Sequence, residues 1–168
     1  MRFAPAAAAL SVLVAISSSV TYSQPRDELS PGAAALVEQG RAAVANGDID
    51  AALDAYEAAL VLSPGNVSIL VNLAEATRLN GLQGKALHYY RDALAADPRN
   101  LAALAGEGAA LAEKGALQKA QQSLARLKSI CGNECEATQR LAAVIEKAPA
   151  TRMVAADMVT PEPIVSDN

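Results

Sequence analysis

Aromatic side chains are scarce in this chain. Among 168 residues there is no tryptophan and one phenylalanine, and aromatic residues make up 3% of the sequence. Alternating runs of β-branched residues, which would indicate strands, are also missing. A sequence of this composition packs close-set helices more easily than a β-sandwich or a β-barrel. We therefore expect an all-α protein, and the length favours a single domain.

Positive charge is also in short supply. The chain has 14 lysine and arginine residues against 18 aspartate and glutamate residues, which gives a formal net charge of −4. Proteins that bind nucleic acid concentrate positive charge on one face. We therefore expect no nucleic-acid partner.

Groups that carry out catalysis are equally rare. The sequence has one histidine and two cysteines, and it contains no glycine-rich phosphate loop, Ser-His-Asp set or cluster of metal ligands. His88 lies beside Tyr89 and Tyr90, and we interpret it as an exposed or packed side chain. We expect no enzymatic activity, no cofactor, no metal site and no small-molecule substrate.

The first 23 residues have the layout of a secretory signal peptide. Arg2 supplies a minimal positive charge, residues 4–16 form an uncharged apolar run, and residues 17–23 are small and polar. The alternative is an uncleaved membrane anchor, but the apolar run is shorter than the ~18 to 20 residues of a spanning helix. We predict cleavage near Ser23, export to the periplasm or secretion, and no membrane insertion of the mature chain, whose net charge becomes −5.

An internal repeat of 34 residues occupies the middle of the chain. Residues 33–66 and 67–100 are identical at twelve positions when aligned at this period. The identical pairs are Leu36 and Leu70, Val37 and Val71, Ala42 and Ala76, Asn46 and Asn80, Gly47 and Gly81, Ala52 and Ala86, Leu53 and Leu87, Tyr56 and Tyr90, Ala59 and Ala93, Leu60 and Leu94, Pro64 and Pro98, and Asn66 and Asn100. A third unit, 101–134, keeps Leu104, Ala110, Gly115 and Ala120 in phase and then diverges.

This pattern resembles the tetratricopeptide repeat family over residues 33 to 134. The family favours a large residue, a small residue, alanine, an aromatic ring, alanine and proline at set positions of each repeat. The first unit supplies Leu36, Gly40, Ala52, Tyr56, Ala59 and Pro64, and the second supplies Leu70, Ala74, Ala86, Tyr90, Ala93 and Pro98. In the third unit Leu124 replaces the ring and Gly132 replaces the proline. The resemblance implies an α-α superhelix of three helix-turn-helix repeats.

Local signals agree with helices in this arrangement. Asn-Gly or Lys-Gly pairs mark the turn inside each repeat, since glycine readily takes the positive φ that ends a helix. Proline ends the second helices, and an asparagine or serine N-cap begins the next ones. These signals are Asn46-Gly47, Asn80-Gly81, Lys114-Gly115, Pro64, Pro98, Asn66, Asn100 and Ser30-Pro31.

A capping helix is predicted at residues 135–147. Leu141, Val144 and Ile145 would face inward and cover the last apolar face of the superhelix. The domain therefore spans 31–147 with seven helices, preceded by a linker at 24–30. The tail 148–168 has prolines and no period, so we expect it to be disordered, although its methionines could bind a groove.

The two cysteines, Cys131 and Cys135, fall at the corner between the third repeat and the capping helix. In an exported chain, two lone cysteines at a tight turn indicate a disulfide. Thiol–disulfide redox chemistry is the alternative function, although redox motifs usually place two residues between the cysteines, and here there are three. A structural metal site needs about four ligands, which this segment does not offer.

The family resemblance also implies a binding surface. In such repeats the first helices line a concave groove, here through Val37, Arg41, Val44, Val71, Asn72, Glu75, Arg78, Ala105, Ala109 and Ala112. Some family members grip a peptide carboxylate with Lys, Asn and Arg, but only Asn72 matches that clamp, since Val37, Ala102 and Gly106 stand at the basic positions. The resemblance therefore implies a non-catalytic adaptor that holds a protein or peptide in this groove, and the signal-peptide pattern of residues 1–23 predicts that it works in the cell envelope.

Overall fold

The computed structural model describes residues 29–148, and this range contains seven α-helices and no strand. The helices are α1 (Pro31–Ala45), α2 (Ile49–Leu62), α3 (Val67–Leu79), α4 (Gln83–Ala96), α5 (Leu101–Glu113), α6 (Leu117–Cys131) and α7 (Glu136–Lys147). The all-α prediction is confirmed. The predicted signal peptide, most of the linker and the tail from residue 149 lie outside the described residues.

The helices stack as hairpins. Each repeat is one pair, α1 with α2, α3 with α4, and α5 with α6, and successive pairs pack through α2 on α3 and α4 on α5. Helix α7 packs on α5 and α6 and covers the end of the third repeat. Such nearest-neighbour packing is the architecture of a superhelical repeat protein.

Side-chain caps begin the first helix of every repeat. Ser30, Asn66 and Asn100 accept hydrogen bonds from the backbone N–H groups three residues ahead, at 3.2, 3.1 and 3.0 Å. Each cap satisfies a donor that a helix start would otherwise leave without a partner. Inside each repeat the turn contains a glycine at positive φ, namely Gly47, Gly81 and Gly115.

Two glycines on first helices make room for tyrosine rings of second helices. A Cβ placed on Gly40 would lie 2.4 Å from the ring of Tyr56, and one placed on Gly106 would lie 2.2 Å from the ring of Tyr90. Both tyrosines are almost completely buried. The tyrosines of the first and second repeats therefore each need a residue without a side chain beside them.

Gly108 on α5 makes room for the capping helix. A Cβ placed there would lie 2.5 Å from Leu141 Cδ2 on α7. Leu141 is 1% exposed. The position of the capping helix thus depends on this contact, and Val144 and Ile145 also pack against the core as predicted.

The corner between α6 and α7 contains the two cysteines. Cys131 is the last residue of α6 and Cys135 is the N-cap residue of α7. The structure pairs their sulfur atoms, with Cα atoms 5.7 Å apart, and Cys131 Sγ also lies 3.5 Å from the hydroxyl of buried Thr138. The sequence placed this segment correctly, at the corner before the capping helix.

Candidate functional site

A cavity of about 290 Å³ opens on the face formed by the first helices of the second and third repeats. We call it the groove. Helices α3 and α5 form its floor, α7 forms the opposite wall, and one side chain comes from α4. It is lined by Val71, Asn72, Glu75, Arg78, Tyr90, Ala102, Ala105, Gly106, Ala109, Arg140, Leu141 and Val144.

Small residues of α5 shape the floor. Ala102, Ala105 and Ala109 recur at helical spacing and contribute only methyl groups, and Gly106 contributes none. Val71 and Val144 border this floor from α3 and α7. Because nothing larger than a methyl group rises from α5, an apolar side chain of a bound segment can reach the helix itself.

A charged network lies at the α3 side of the groove. Arg78 Nη2 lies 2.5 Å from Glu75 Oε1, and Arg78 Nε donates to Glu75 Oε2 at 3.0 Å. Arg78 also binds Glu113 at the end of α5, and the Tyr90 hydroxyl donates to Glu75 Oε2 at 2.6 Å. The network therefore ties α3 to both α4 and α5.

Each titratable group of this network has a single protonation state at neutral pH. Burial alone would raise the pKa of the Glu75 carboxyl, but hydrogen bonds from Arg78 and Tyr90 outweigh it and lower that pKa below its ordinary value. Burial, reinforced by the Glu75 charge, raises the pKa of the Tyr90 phenol. The hydrogen bond to Glu75 raises the pKa of Arg78. Glu75 is therefore charged, Tyr90 neutral and Arg78 charged at neutral pH.

The α7 wall contributes a second arginine. Arg140 lines the groove, and its side chain is 69% exposed. Its Nε lies 3.8 Å from Glu136 Oε1, one turn earlier on the same helix. Arg140 also lowers the pKa of Glu75 by its charge, and both side chains line the groove.

Six of the predicted groove residues do line the cavity. They are Val71, Asn72, Glu75, Arg78, Ala105 and Ala109. Val37 does not, because it is 1% exposed and packs among Ile69 and Leu73, and Ala112 is likewise buried. Arg41 is exposed on α1 and pairs with Glu38, while Val44 is partly buried in the first repeat. The groove is thus confined to the second and third repeats and the capping helix.

The sequence did not identify several lining residues. Arg140 comes from the capping helix and Tyr90 from a second helix, whereas the predicted groove residues all lie on first helices. Leu141 and Val144 were expected to face the core, which they do while also bordering the groove. Their inward stripe on the capping helix is a signal that could have extended the predicted site, because a cap that covers α5 also reaches the surface beside it.

A second hollow and the single histidine lie elsewhere in the described chain. A more open hollow of about 630 Å³ lies between α2 and α4, lined by Leu60, Leu70, Asp92 and the corner at 64–65. His88 is exposed, with Nε2 3.5 Å from Asp92 Oδ2. Between residues 29 and 148, no helix is long and apolar enough to cross a membrane, and no three His, Cys, Asp or Glu side chains are grouped to hold a metal ion.

Comparison with known proteins identifies the class of this fold. Residues 37–86 match the family model described as the tetratricopeptide repeat, and solved tetratricopeptide repeat (TPR) domains share the architecture. Residues 37–86 therefore carry the tetratricopeptide repeat, and the described residues share the fold of solved tetratricopeptide repeat domains. A search of curated protein sequences found no match.

Three solved structures illustrate the similarity. The Sgt2 TPR domain from Aspergillus fumigatus is 26% identical with a TM-score of 0.65, and the match covers 86% of this chain and 96% of that one. The first TPR of Spaghetti (RPAP3), solved with the HSP90 peptide SRMEEVD, is 25% identical with a TM-score of 0.64. That match covers 71% of this chain and 97% of the other. The Yersinia enterocolitica type III secretion chaperone SycD, solved with a peptide of the translocator YopD, shares the fold at 19% identity, a TM-score of 0.63 and coverage of 70% and 92%.

Proposed function

We propose that this protein is a non-catalytic adaptor that holds a segment of a partner protein in the groove between α3, α5 and α7. The observation that carries this proposal is the groove's composition. It has an apolar floor of alanine and valine with polar groups at both sides, which suits an apolar helix or extended segment whose register is fixed by a few hydrogen bonds. Peptide-bound TPR domains of similar fold support it.

The protonation states in the groove support a non-catalytic role. A general acid or base works best when its pKa is close to the working pH. In the groove the pKa of Glu75 is moved down, and those of Tyr90 and Arg78 are moved up. Each shift moves the pKa further from pH 7, so these side chains position and bind a ligand rather than transfer protons.

We place the adaptor in the cell envelope or outside the cell. Support comes from the signal-peptide pattern of residues 1–23 and from the pairing of Cys131 with Cys135, because disulfides persist in oxidising compartments. The intact mass of the protein from its native cell should show removal of about 23 residues and the loss of two hydrogens. Full alkylation of both thiols without prior reduction, or an uncleaved amino terminus, would contradict this placement.

A thiol–disulfide function is the second candidate. Cys135 is the N-cap residue of α7, and the cysteines of disulfide oxidoreductases commonly lie at helix N-termini. The reduction potential of the disulfide distinguishes the adaptor function from the redox function. A structural disulfide has a potential below about −300 mV, and a catalytic disulfide has a higher one. Loss of biological activity in Cys131→Ser with an unchanged melting temperature would favour the redox function.

Site-specific photo-crosslinking tests the groove in the native cell. A photoreactive amino acid replaces exposed Ala102 in the groove, and a matched variant carries it at exposed Ala35 on α1. We expect discrete protein adducts from position 102 and none of these from position 35. Equal adducts from both positions, or none from position 102, would show that the groove does not hold a partner.

A further inference from the structure

The fold leaves one groove cation available to a ligand. Arg140 is 69% exposed, and its ion pair within the described residues is with Glu136, which is itself 84% exposed, at 3.8 Å. Exposed pairs of this geometry contribute little to stability because water and salt screen them. A carboxylate brought by a ligand can therefore replace Glu136 at small cost.

The other groove arginine is already bound. Arg78 is 18% exposed and is held by both Glu75 and Glu113. These three groups carry a net charge of −1, whereas Arg140 and Glu136 together carry none. Of the α7 side chains that line the groove, Arg140 is the charged one, and Glu136 is not among them. The groove lining is therefore positive at α7, and the excess of negative charge lies at α3.

We propose that the partner segment is apolar and carries an aspartate or glutamate, and that Arg140 selects this carboxylate. This inference rests on the proposed function of the groove. The apolar side chains of the segment pack on Ala102, Ala105 and Val144, and the carboxylate accepts charge-assisted hydrogen bonds from the Arg140 guanidinium. A second carboxylate near Glu75 is repelled, so the charge pattern also sets the direction in which the segment lies.

A peptide array provides the probe. It displays nine-residue peptides of alanine, valine and leucine with one aspartate at each position, and matched sets with asparagine or lysine there. One further spot carries the synthetic segment 149–168 of this chain. The array is incubated with the full chain, with Arg140→Gln and with Arg140→Glu. Lys147→Gln is the control, because Lys147 is exposed on α7 but does not line the groove.

The expected result is a preference that depends on Arg140. The full chain and Lys147→Gln should bind the best aspartate peptides about three- to tenfold more tightly than their asparagine partners, as expected for a charge-assisted contact at a partly exposed site. Arg140→Gln should lose this preference, and Arg140→Glu should shift it to the lysine peptides. The circular dichroism of all variants should be unchanged.

Three results would overturn the inference, and they are distinguishable. Equal binding of aspartate and asparagine peptides by the full chain would remove the charge selection while leaving the groove as a peptide site. Tighter binding of 149–168 than of every array peptide would make the chain's own segment the occupant. Binding of no peptide by any variant would overturn the proposed function itself.

Discussion

Two glutamate–arginine pairs, one on α1 and one on α3, have the same local spacing and different surroundings. Arg41 lies 2.6 Å from Glu38, and Arg78 lies 2.5 Å from Glu75, each three residues along its helix. The first arginine is 55% exposed and the second 18% exposed. The α1 pair is a surface pair, whereas the α3 pair is part of a network that holds three helices together.

The repeated valines show the same contrast. Val37 and Val71 occupy equivalent positions in successive repeats, but only Val71 borders the groove. Helix α3 has α5 beside it and α7 across from it, while α1 is the first described helix. Val37 is instead buried against Ile69 and Leu73 of α3, so equivalent repeat positions are core in one repeat and groove lining in the next.

Removing the arginine of each pair should produce the largest difference. Arg78→Ala leaves Glu75 partly buried without its cation, so we expect a loss of about 2 kcal/mol in unfolding free energy. Arg41→Ala should cost less than about 0.5 kcal/mol. Urea titration followed by circular dichroism measures both, and equal losses would remove the distinction between the two pairs.

Adding a methyl group to α5 should have the next largest effect. Gly106→Ala places a Cβ against the buried Tyr90 ring, and we expect a net loss of about 1 to 2 kcal/mol despite alanine's better helix propensity. Gly84→Ala is the matched control, because its nearest atom is 3.9 Å away, and it should gain up to about 1 kcal/mol. A stabilised Gly106→Ala would contradict the close packing of Tyr90.

Removing the hydroxyl of each tyrosine should produce a smaller difference in stability. Tyr90→Phe removes the 2.6 Å hydrogen bond to Glu75, which should cost about 1 kcal/mol. Tyr56→Phe should change stability by less than about 0.5 kcal/mol, because the Tyr56 ring packs on Gly40 without such a bond. Thermal unfolding of the two variants measures this difference, and a larger cost at Tyr56 would reverse the comparison.

The smallest effect should be the pH dependence of stability that Glu75 causes. Its pKa is lower in the folded protein than its ordinary value of 4.5, so its stabilising contribution is present above pH 4.5 and is lost as the pH falls through the folded value. The stability difference between the wild type and Glu75→Gln should therefore shrink below pH 4.5. A difference that stays constant from pH 7 to pH 3 would contradict the network.

The sequence predicts the helices well because their signals are local. The caps at Ser30, Asn66 and Asn100 and the positive-φ glycines act within a few residues of one another. The site is predicted only in part, because its limits depend on contacts between distant segments. Val37 was misplaced and Arg140 was missed for this reason, since neither residue's own neighbours in sequence reveal which helix stands opposite.

The central claim is that the groove of the second and third repeats, and not the first repeat, binds the partner. The most direct measurement is the affinity of the best array peptide for Ala102→Trp and Ala35→Trp, which place the same uncharged bulk inside the groove and on exposed α1. Fluorescence anisotropy should show an at least tenfold higher Kd for Ala102→Trp, which corresponds to a loss of about 1.4 kcal/mol in binding free energy. The Kd of Ala35→Trp should be unchanged. Wild-type affinity in Ala102→Trp, with the fold intact, would contradict the account.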